Sequence, residues 1–347
     1  MAQKKTGIRE IAEQAGIAMS TVSHALNGTA PISAEVRARV IAIAAETGYL
    51  AQRQAKGSIA AIAKLMVAVP EDALPDSDVN LVSWTILSNL TKTCKASGIK
   101  VVPFSLLPRH APEDLIAAAR AEDVDGLVLI NQDSDGFLAA LQASGLASVL
   151  INGEDAKMRV DSVTPGNRFA SQMATEWLID QGHKKVMHLT WEGRKTVRRR
   201  LDGFMDGLME AGIAAGPETV LMAAGYEPRF GEERVAAWLK ENGGLGGVTA
   251  LFCAADNLAF GAIKALQAAG YNVPEDASVM GFDGVALGEF HRPELTTVAV
   301  PLEQFATEAL SLLRQRIISG TEPRASRRVE LGCVLIERES VRSLRRT

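Results

Sequence analysis

Apolar residues recur at two different spacings along this chain, and the change falls near residue 62. Over residues 8–49 the spacing is helical. Ile8, Ile11, Ala12 and Ala15 stand at i, i+3, i+4 and i+7, which lines one face of a helix that Gly16 then breaks. A second helix is predicted from about Met19, with Val22 and Leu26 turned inward. Asn27-Gly28 ends it, because glycine takes the left-handed backbone of a helix C-terminus at little steric cost. Pro31-Ile32-Ser33 opens a third helix, with Ser33 as N-cap and Val36, Val40, Ile43 and Ala44 as its stripe. Tyr49, just after Gly48, is expected to pack back on this trio.

Past residue 62, short apolar runs alternate with amphipathic stretches. The runs are Leu65–Val69, Val101–Phe104, Gly126–Ile130, Ser148–Ile151, Val186–Leu189, Val220–Met222, Ala250–Cys253, Val279–Phe282 and Val298–Val300. The stretches include 81–97, 167–181, 198–211, 231–242, 257–269 and 302–318. Alternation of this kind predicts parallel strands covered by helices on both faces. The strands are more than one sheet usually takes, so two doubly wound lobes are expected. Residues 51–60 between the two regimes lack large apolar side chains. They read as a linker, or as a helix too short to stand alone in water.

The expected organisation is an all-α helix–turn–helix head (residues 1–50), a hinge (51–61) and an α/β core (62–347). Within the core, lobe 1 is placed at about 62–162 and 292–324, and lobe 2 at about 163–291 and 325–342.

Charge sharpens this division. The whole chain holds 37 Lys+Arg and 41 Asp+Glu, a net of −4. Residues 1–60 hold seven basic and four acidic residues, and the rest hold 30 and 37. A basic head on an acidic body suggests an anionic partner for the head alone. Cys94, Cys253 and Cys333 are far apart and form no CxxC pair, so neither a disulfide framework nor a zinc cluster is expected. Arg9, Glu10 and Glu13 interrupt any signal-peptide pattern after Lys4-Lys5, and no apolar run reaches the length of a membrane span. A cytoplasmic protein with no membrane partner, metal or cofactor is expected.

The run from Ile8 to Gly28 suits a helix–turn–helix, in which one helix braces a second that enters the major groove. Ala12 is small at the crossing, Gly16 permits the turn, and Ile17 and Val22 point inward. Met19, Ser20, Thr21, Ser23, His24 and Asn27 are left for solvent or DNA. A three-helix packing module without nucleic acid is the competing reading of this pattern alone.

The string IAEQAGIAMSTVSHALNG…ISAEVRARVIAIAAETGY within residues 7–49 resembles the DNA-binding head of the LacI/GalR family of bacterial transcription regulators. The two-lobed remainder resembles that family's effector-binding core, of periplasmic-binding-protein type. The resemblance implies that Met19, Ser20 and His24 face base edges. It implies that Thr21, Ser23 and Asn27 hold phosphates or brace the helix. Phosphate contacts set register, and base contacts set sequence choice. His24 stands where arginine is common, and a histidine ring cannot fork to guanine as a guanidinium does. Gly7 and Ala18 replace hydroxyl residues usual in the family.

The hinge departs further. Tyr49, Ala55 and Lys56 fit the family pattern, but Ala51 and Gln52 replace its Pro and Asn, and Ser58 replaces the leucine that wedges open a base step. Either Ile59 takes the wedge role by a one-residue shift, or the operator is not kinked. Arg53, Lys56 and Ile59 complete the expected DNA contacts.

Doubly wound sheets bind ligands beyond the carboxyl ends of their strands. Asn152, Trp191, Tyr226, Asp256 and Asp283 all lie just after predicted strands, and Arg200 flanks the loop after Val186–Leu189. Each has a plainer reading, such as Asp256 capping its own helix. The resemblance implies effector contacts for Arg200, in Arg200-Leu201-Asp202-Gly203, and for Asp283, in Gly281-Phe282-Asp283. It also implies an aromatic platform at Tyr226 and a cleft-lining helix carrying Trp84. Thr196 completes the expected set. Ala255 replaces an asparagine that often grips the ligand.

The expected function is a repressor of transcription. A homodimer would bind near-palindromic double-stranded DNA, and a small polar effector, a sugar or sugar derivative, would modulate it. The alternative is a DNA-binding regulator whose core only dimerises. No GxSxG, P-loop, HExxH or GxGxxG motif supports an enzyme.

Overall fold

The computed structural model describes residues 7–27, 32–49, 62–71, 80–107, 109–319 and 324–345. The head consists of α1 (Ile8–Ala15), α2 (Met19–Asn27) and α3 (Ala34–Glu46). Gly16 ends α1 at φ 66°, and the Ser33 hydroxyl caps α3 by accepting from Val36 N at 3.3 Å. Ile11, Ala12, Ala15, Val22, Ala25, Leu26, Val40 and Ala44 form the buried head core, with Ile17 and Tyr49 packed against it. The hinge and its expected contacts Arg53, Lys56 and Ile59 lie outside the described residues, as does Gly28.

The body holds β1 (Lys64–Pro70), α4 (Leu81–Ala96), β2 (Lys100–Leu106), α5 (Pro112–Ala121), β3 (Gly126–Ile130), α6 (Asp135–Ser144), β4 (Ser148–Ile151) and β5 (Asp161–Pro165). There follow α7 (Asn167–Asp180), β6 (Val186–Trp191), α8 (Lys195–Glu210), β7 (Val220–Ala223), α9 (Pro228–Asn242), β8 (Ala250–Cys253), α10 (Asp256–Ala268) and β9 (Ser278–Asp283). The chain closes with α11 (Leu287–Phe290), β10 (Thr296–Ala299), α12 (Leu302–Ser319), β11 (Arg328–Leu331) and β12 (Val334–Ile336).

These strands form two sheets of six. Lobe 1 runs β11-β5-β4-β3-β1-β2 and lobe 2 runs β12-β10-β9-β8-β6-β7; every pairing is parallel except β10 with β12. Central strands such as β3 and β4 are buried along their whole length, as sheets covered on both faces require.

Pairing corrects the expected lobe boundaries. β10, placed in lobe 1 from the sequence, pairs with β9 of lobe 2, and β11, placed in lobe 2, pairs with β5 of lobe 1. The chain thus changes lobes after β5, after β10 and between β11 and β12. Parallel pairing beside an existing strand, rather than spacing along the chain, decides membership.

The head rests on lobe 1. Arg37 Nη1 donates to Asp125 Oδ1 at 3.1 Å, and Ile318 at the end of α12 packs against the head core. Asp125 also accepts from the backbone N–H groups of Ala63 and Lys64 at 2.6 and 2.8 Å, which fixes the start of β1.

Helices α7 and α8 pack so closely that a Cβ on Gly203 would stand 2.0 Å from Arg168 O. No side chain fits there without parting the helices, and overpacking of this kind typically costs about 1–3 kcal/mol. Gly203→Ala is therefore expected to lower unfolding free energy by roughly that amount, measured by urea denaturation of the variant against wild type.

Candidate functional site

The carboxyl ends of both sheets face one cleft between the lobes, with a cavity of about 310 Å³. Its lining includes Asn80, Leu81, Val82 and Ser83 at the start of α4, and Asn131 and Asn152 beyond β3 and β4. From lobe 2 come Trp191, Arg194, Thr196, Arg200, Tyr226, Ala255, Asn257 and Asp283. Six residues expected from the sequence therefore meet in one place: Asn152, Trp191, Thr196, Arg200, Tyr226 and Asp283.

Two expected residues stand elsewhere. Trp84 is 42% exposed and does not line the cavity, whereas its neighbour Ser83 is fully buried beneath it. One residue along a helix turns the side chain by about a quarter of the circumference, so the helix was right and the face was wrong. Asp256 lies behind the lining. Ala255 is the N-cap of α10, and the Asp256 carboxylate accepts instead from Val285 N at 2.8 Å and Thr297 Oγ1 at 2.6 Å. It braces the loop after β9 and neither touches the cavity nor caps its own helix.

Arg200 is the centre of the cleft floor, at 4% exposure. Its Nε donates to Asn167 Oδ1 at 2.9 Å, and its Nη1 donates to Ala254 O at 2.6 Å and to Asp283 Oδ1 at 2.9 Å. The guanidinium also lies over the Phe282 ring, 3.8 Å from its centroid. A buried charge needs such partners, since removing it from water is costly.

On the lobe 1 side a polar chain crosses the floor. Asn152 Nδ2 donates to Asn131 Oδ1 at 2.8 Å, and Asn131 Nδ2 donates to Ser83 Oγ at 2.6 Å. Asn152 Oδ1 has no partner although it is buried and borders the cavity. Trp191 and Tyr226 form an aromatic wall opposite, with ring centroids 5.9 Å apart. Asn131, Asn152 and Asp283 all have positive φ, at 60°, 53° and 122°. Backbone strain in non-glycine residues gathers at functional sites.

Burial, and repulsion from Asp283, push Asp256 up to about 8. Burial raises Asp283 as well, but the Arg200 guanidinium at 2.9 Å opposes it. Burial thus favours the neutral form of Asp256 at neutral pH, while Arg200 works against the same effect at Asp283. Burial also holds the Cys94 and Cys333 thiols at about 11 and raises Cys253, so none is a ready nucleophile.

On the head, Met19 is 54% exposed and Ser20 is exposed, while Thr21, Ser23 and His24 are half-buried on the same helix. The side chain of Asn27 lies outside the described residues. Among the described residues no helix is long and apolar enough to cross a membrane, and no group of three His, Cys, Asp or Glu could hold a metal.

Residues 7–52 match the family model for bacterial regulatory proteins of the lacI family, and residues 175–341 match the model for the periplasmic binding protein-like domain. The chain thus joins a head of the lacI regulatory type to a body of the periplasmic-binding-protein type. Relatives that it matches over nearly their whole length are transcriptional repressors. The ribose operon repressor of Haemophilus influenzae is 28% identical over 97% of this chain and 99% of its own. The HTH-type transcriptional repressor PurR of Pasteurella multocida is 29% identical over 97% and 98%. The lac repressor dimer bound to operator and the anti-inducer ONPF has the same fold, with a TM-score of 0.70 at 23% identity, covering 98% of this chain and 100% of that one.

Within this cleft, sequence reasoning missed Asn80, Ser83, Asn131, Arg194 and Asn257. Asn131 was within reach, because it follows the Gly126–Ile130 run as Asn152 follows Ser148–Ile151. Asn257 brings an amide to the cavity two residues after Ala255, which lacks one.

The proton on Asp256 has a consequence for stability. From about pH 4 to about pH 8 the unfolded chain has lost this proton while the folded chain retains it. Stability from this group therefore falls as pH rises through that window and levels off above it. Asp256→Asn keeps a neutral group and is expected to flatten the slope. Melting temperatures of both proteins across that pH range measure the difference.

Proposed function

We propose that the cleft binds a small neutral polyol, a sugar or sugar derivative of about monosaccharide size, and that its occupancy sets operator affinity. The observation that carries this reading is the lining itself. Amides and hydroxyls from Asn80, Ser83, Asn131, Asn152, Thr196 and Asn257 surround a buried Arg200–Asp283 pair, beneath the Trp191–Tyr226 wall. Hydroxyl groups both donate and accept, so they suit a lining of amides, a carboxylate and guanidinium groups. Aromatic faces suit the apolar side of a sugar ring. The cavity volume is at the small end for ligand sites, which favours a single ring over an oligosaccharide. The name of the ribose operon repressor among the relatives supports the same class.

The regulator acts in the cytoplasm as a homodimer on a near-palindromic operator, since two-fold proteins read two-fold sites. Exposed Trp84, Leu287 and Phe290 offer apolar surface for a second copy. Met19, Ser20 and His24 select bases, while Thr21, Ser23, Asn27, Arg53 and Lys56 hold the backbone. A ligand shifts operator affinity only by its differential affinity for the two lobe arrangements.

A calorimetric panel of pentoses, hexoses and nucleosides is expected to yield a ligand whose binding Arg200→Ala and Asp283→Ala each weaken at least tenfold, about 1.4 kcal/mol. Retention of full affinity by both variants removes the cleft assignment. Binding of a nucleoside alone replaces the sugar with a purine-like effector. No ligand at all returns the core to a dimerisation role. For the head, binding selections with His24→Arg are expected to change the preferred base at one position in each half-site. An unchanged preference removes His24 from the reading set.

A further inference from the structure

Asp133 lies three residues beyond the end of β3 and is absent from the cavity lining, yet its carboxylate collects donors from both lobes. Oδ1 accepts from Glu154 N of lobe 1 at 2.6 Å. Oδ2 accepts from Arg194 Nε at 2.7 Å and from Lys195 N at 3.2 Å, both at the start of α8 in lobe 2. Arg194 Nη2 donates as well to Asn152 O of lobe 1. Glu154, next along, accepts from Arg199 Nη2 of α8 at 2.7 Å.

Resting on the cleft reading above, we propose that Asp133 latches the first turn of α8 onto lobe 1 and so sets the lobe angle before any effector arrives. Its side chain is only 10% exposed, so the ion pair with Arg194 is weakly screened by water. The Asp133 carboxylate also meets the N-terminal end of α8, where unpaired backbone N–H groups favour negative charge. Helix α8 carries Thr196 and Arg200, and Arg194 precedes it. Fixing its first turn therefore aims three cleft side chains at once. Asp133 is a positioning residue that acts through α8 without touching the ligand. The apparent affinity of a ligand scales with the fraction of protein already in the binding arrangement, so loss of the latch weakens effector binding.

The test needs no effector, so its failure is distinct from failure of the sugar reading. Nitroxide labels on cysteines introduced at exposed Gln142 of lobe 1 and Gln267 of lobe 2 report the lobe separation by double electron–electron resonance. In ligand-free full-length protein, a narrow distribution is expected for the otherwise wild-type pair. Asp133→Ala should give a longer and broader one, with Asp133→Asn between. Identical distributions for wild type and a folded Asp133→Ala protein would overturn the latch. If Asp133→Ala does not fold, Asp133→Asn decides alone, and a distribution identical to wild type overturns the latch equally.

Discussion

A single buried guanidinium organises the body of this protein. Arg200 leaves α8, passes beneath the cleft, and is tied to α7 through Asn167, to the end of β8 through Ala254 O, and to the end of β9 through Asp283. Each tie satisfies a donor that would otherwise be stranded away from water. Together they hold the carboxyl ends of two neighbouring strands and two helices in one fixed relation. Replacing Arg200 would remove a cation from the cavity lining and leave Asp283 buried without its counter-charge, which is the costly half of such a deletion. Cleft shape and lobe stability are therefore not separable at this position.

The strained strand ends fit the same picture. Asn131, Asn152 and Asp283 hold left-handed or extended positive-φ backbones at the ends of β3, β4 and β9. Asparagine and aspartate tolerate such conformations better than branched residues do. The turn each one makes brings its side chain back over the strand end toward the cavity. The hydrogen-bond chain Ser83–Asn131–Asn152 then spreads the constraint across lobe 1.

Much of this was legible in the sequence, for physical reasons. Strands buried on both faces write continuous apolar runs, and Gly126–Ile130, Ser148–Ile151 and Ala250–Cys253 were read with the bounds the structure gives them. β5 was not, because Asp161, Ser162 and Thr164 are polar yet buried. Asp161 is held by Arg316 and by the Arg327 backbone, partners more than 150 residues away that no local pattern reveals. β11 and β12 are edge strands with half-exposed residues, so they too lack an apolar run. In the cleft, the strand-end rule led to Asn152 and Asp283, which both line the cavity, whereas Trp84 needed the rotation of α4 and Arg194 needed the crossing between lobes. Asp133 gave no sign at all, since its role depends wholly on what stands opposite.

The threefold passage of the chain between the lobes bears on how the protein is made. Lobe 1 has its first five strands by residue 165, but its edge strand β11 ends at Leu331 and its covering helix α12 at Ser319. Lobe 2 waits for β12, which ends at Ile336. A nascent chain on the ribosome thus carries two unfinished sheets until β11 and β12 emerge. The head needs only residues 7–49 and can assemble long before either. Synthesis yields the head first, and both sheets are completed only once residues 328–336 have been made.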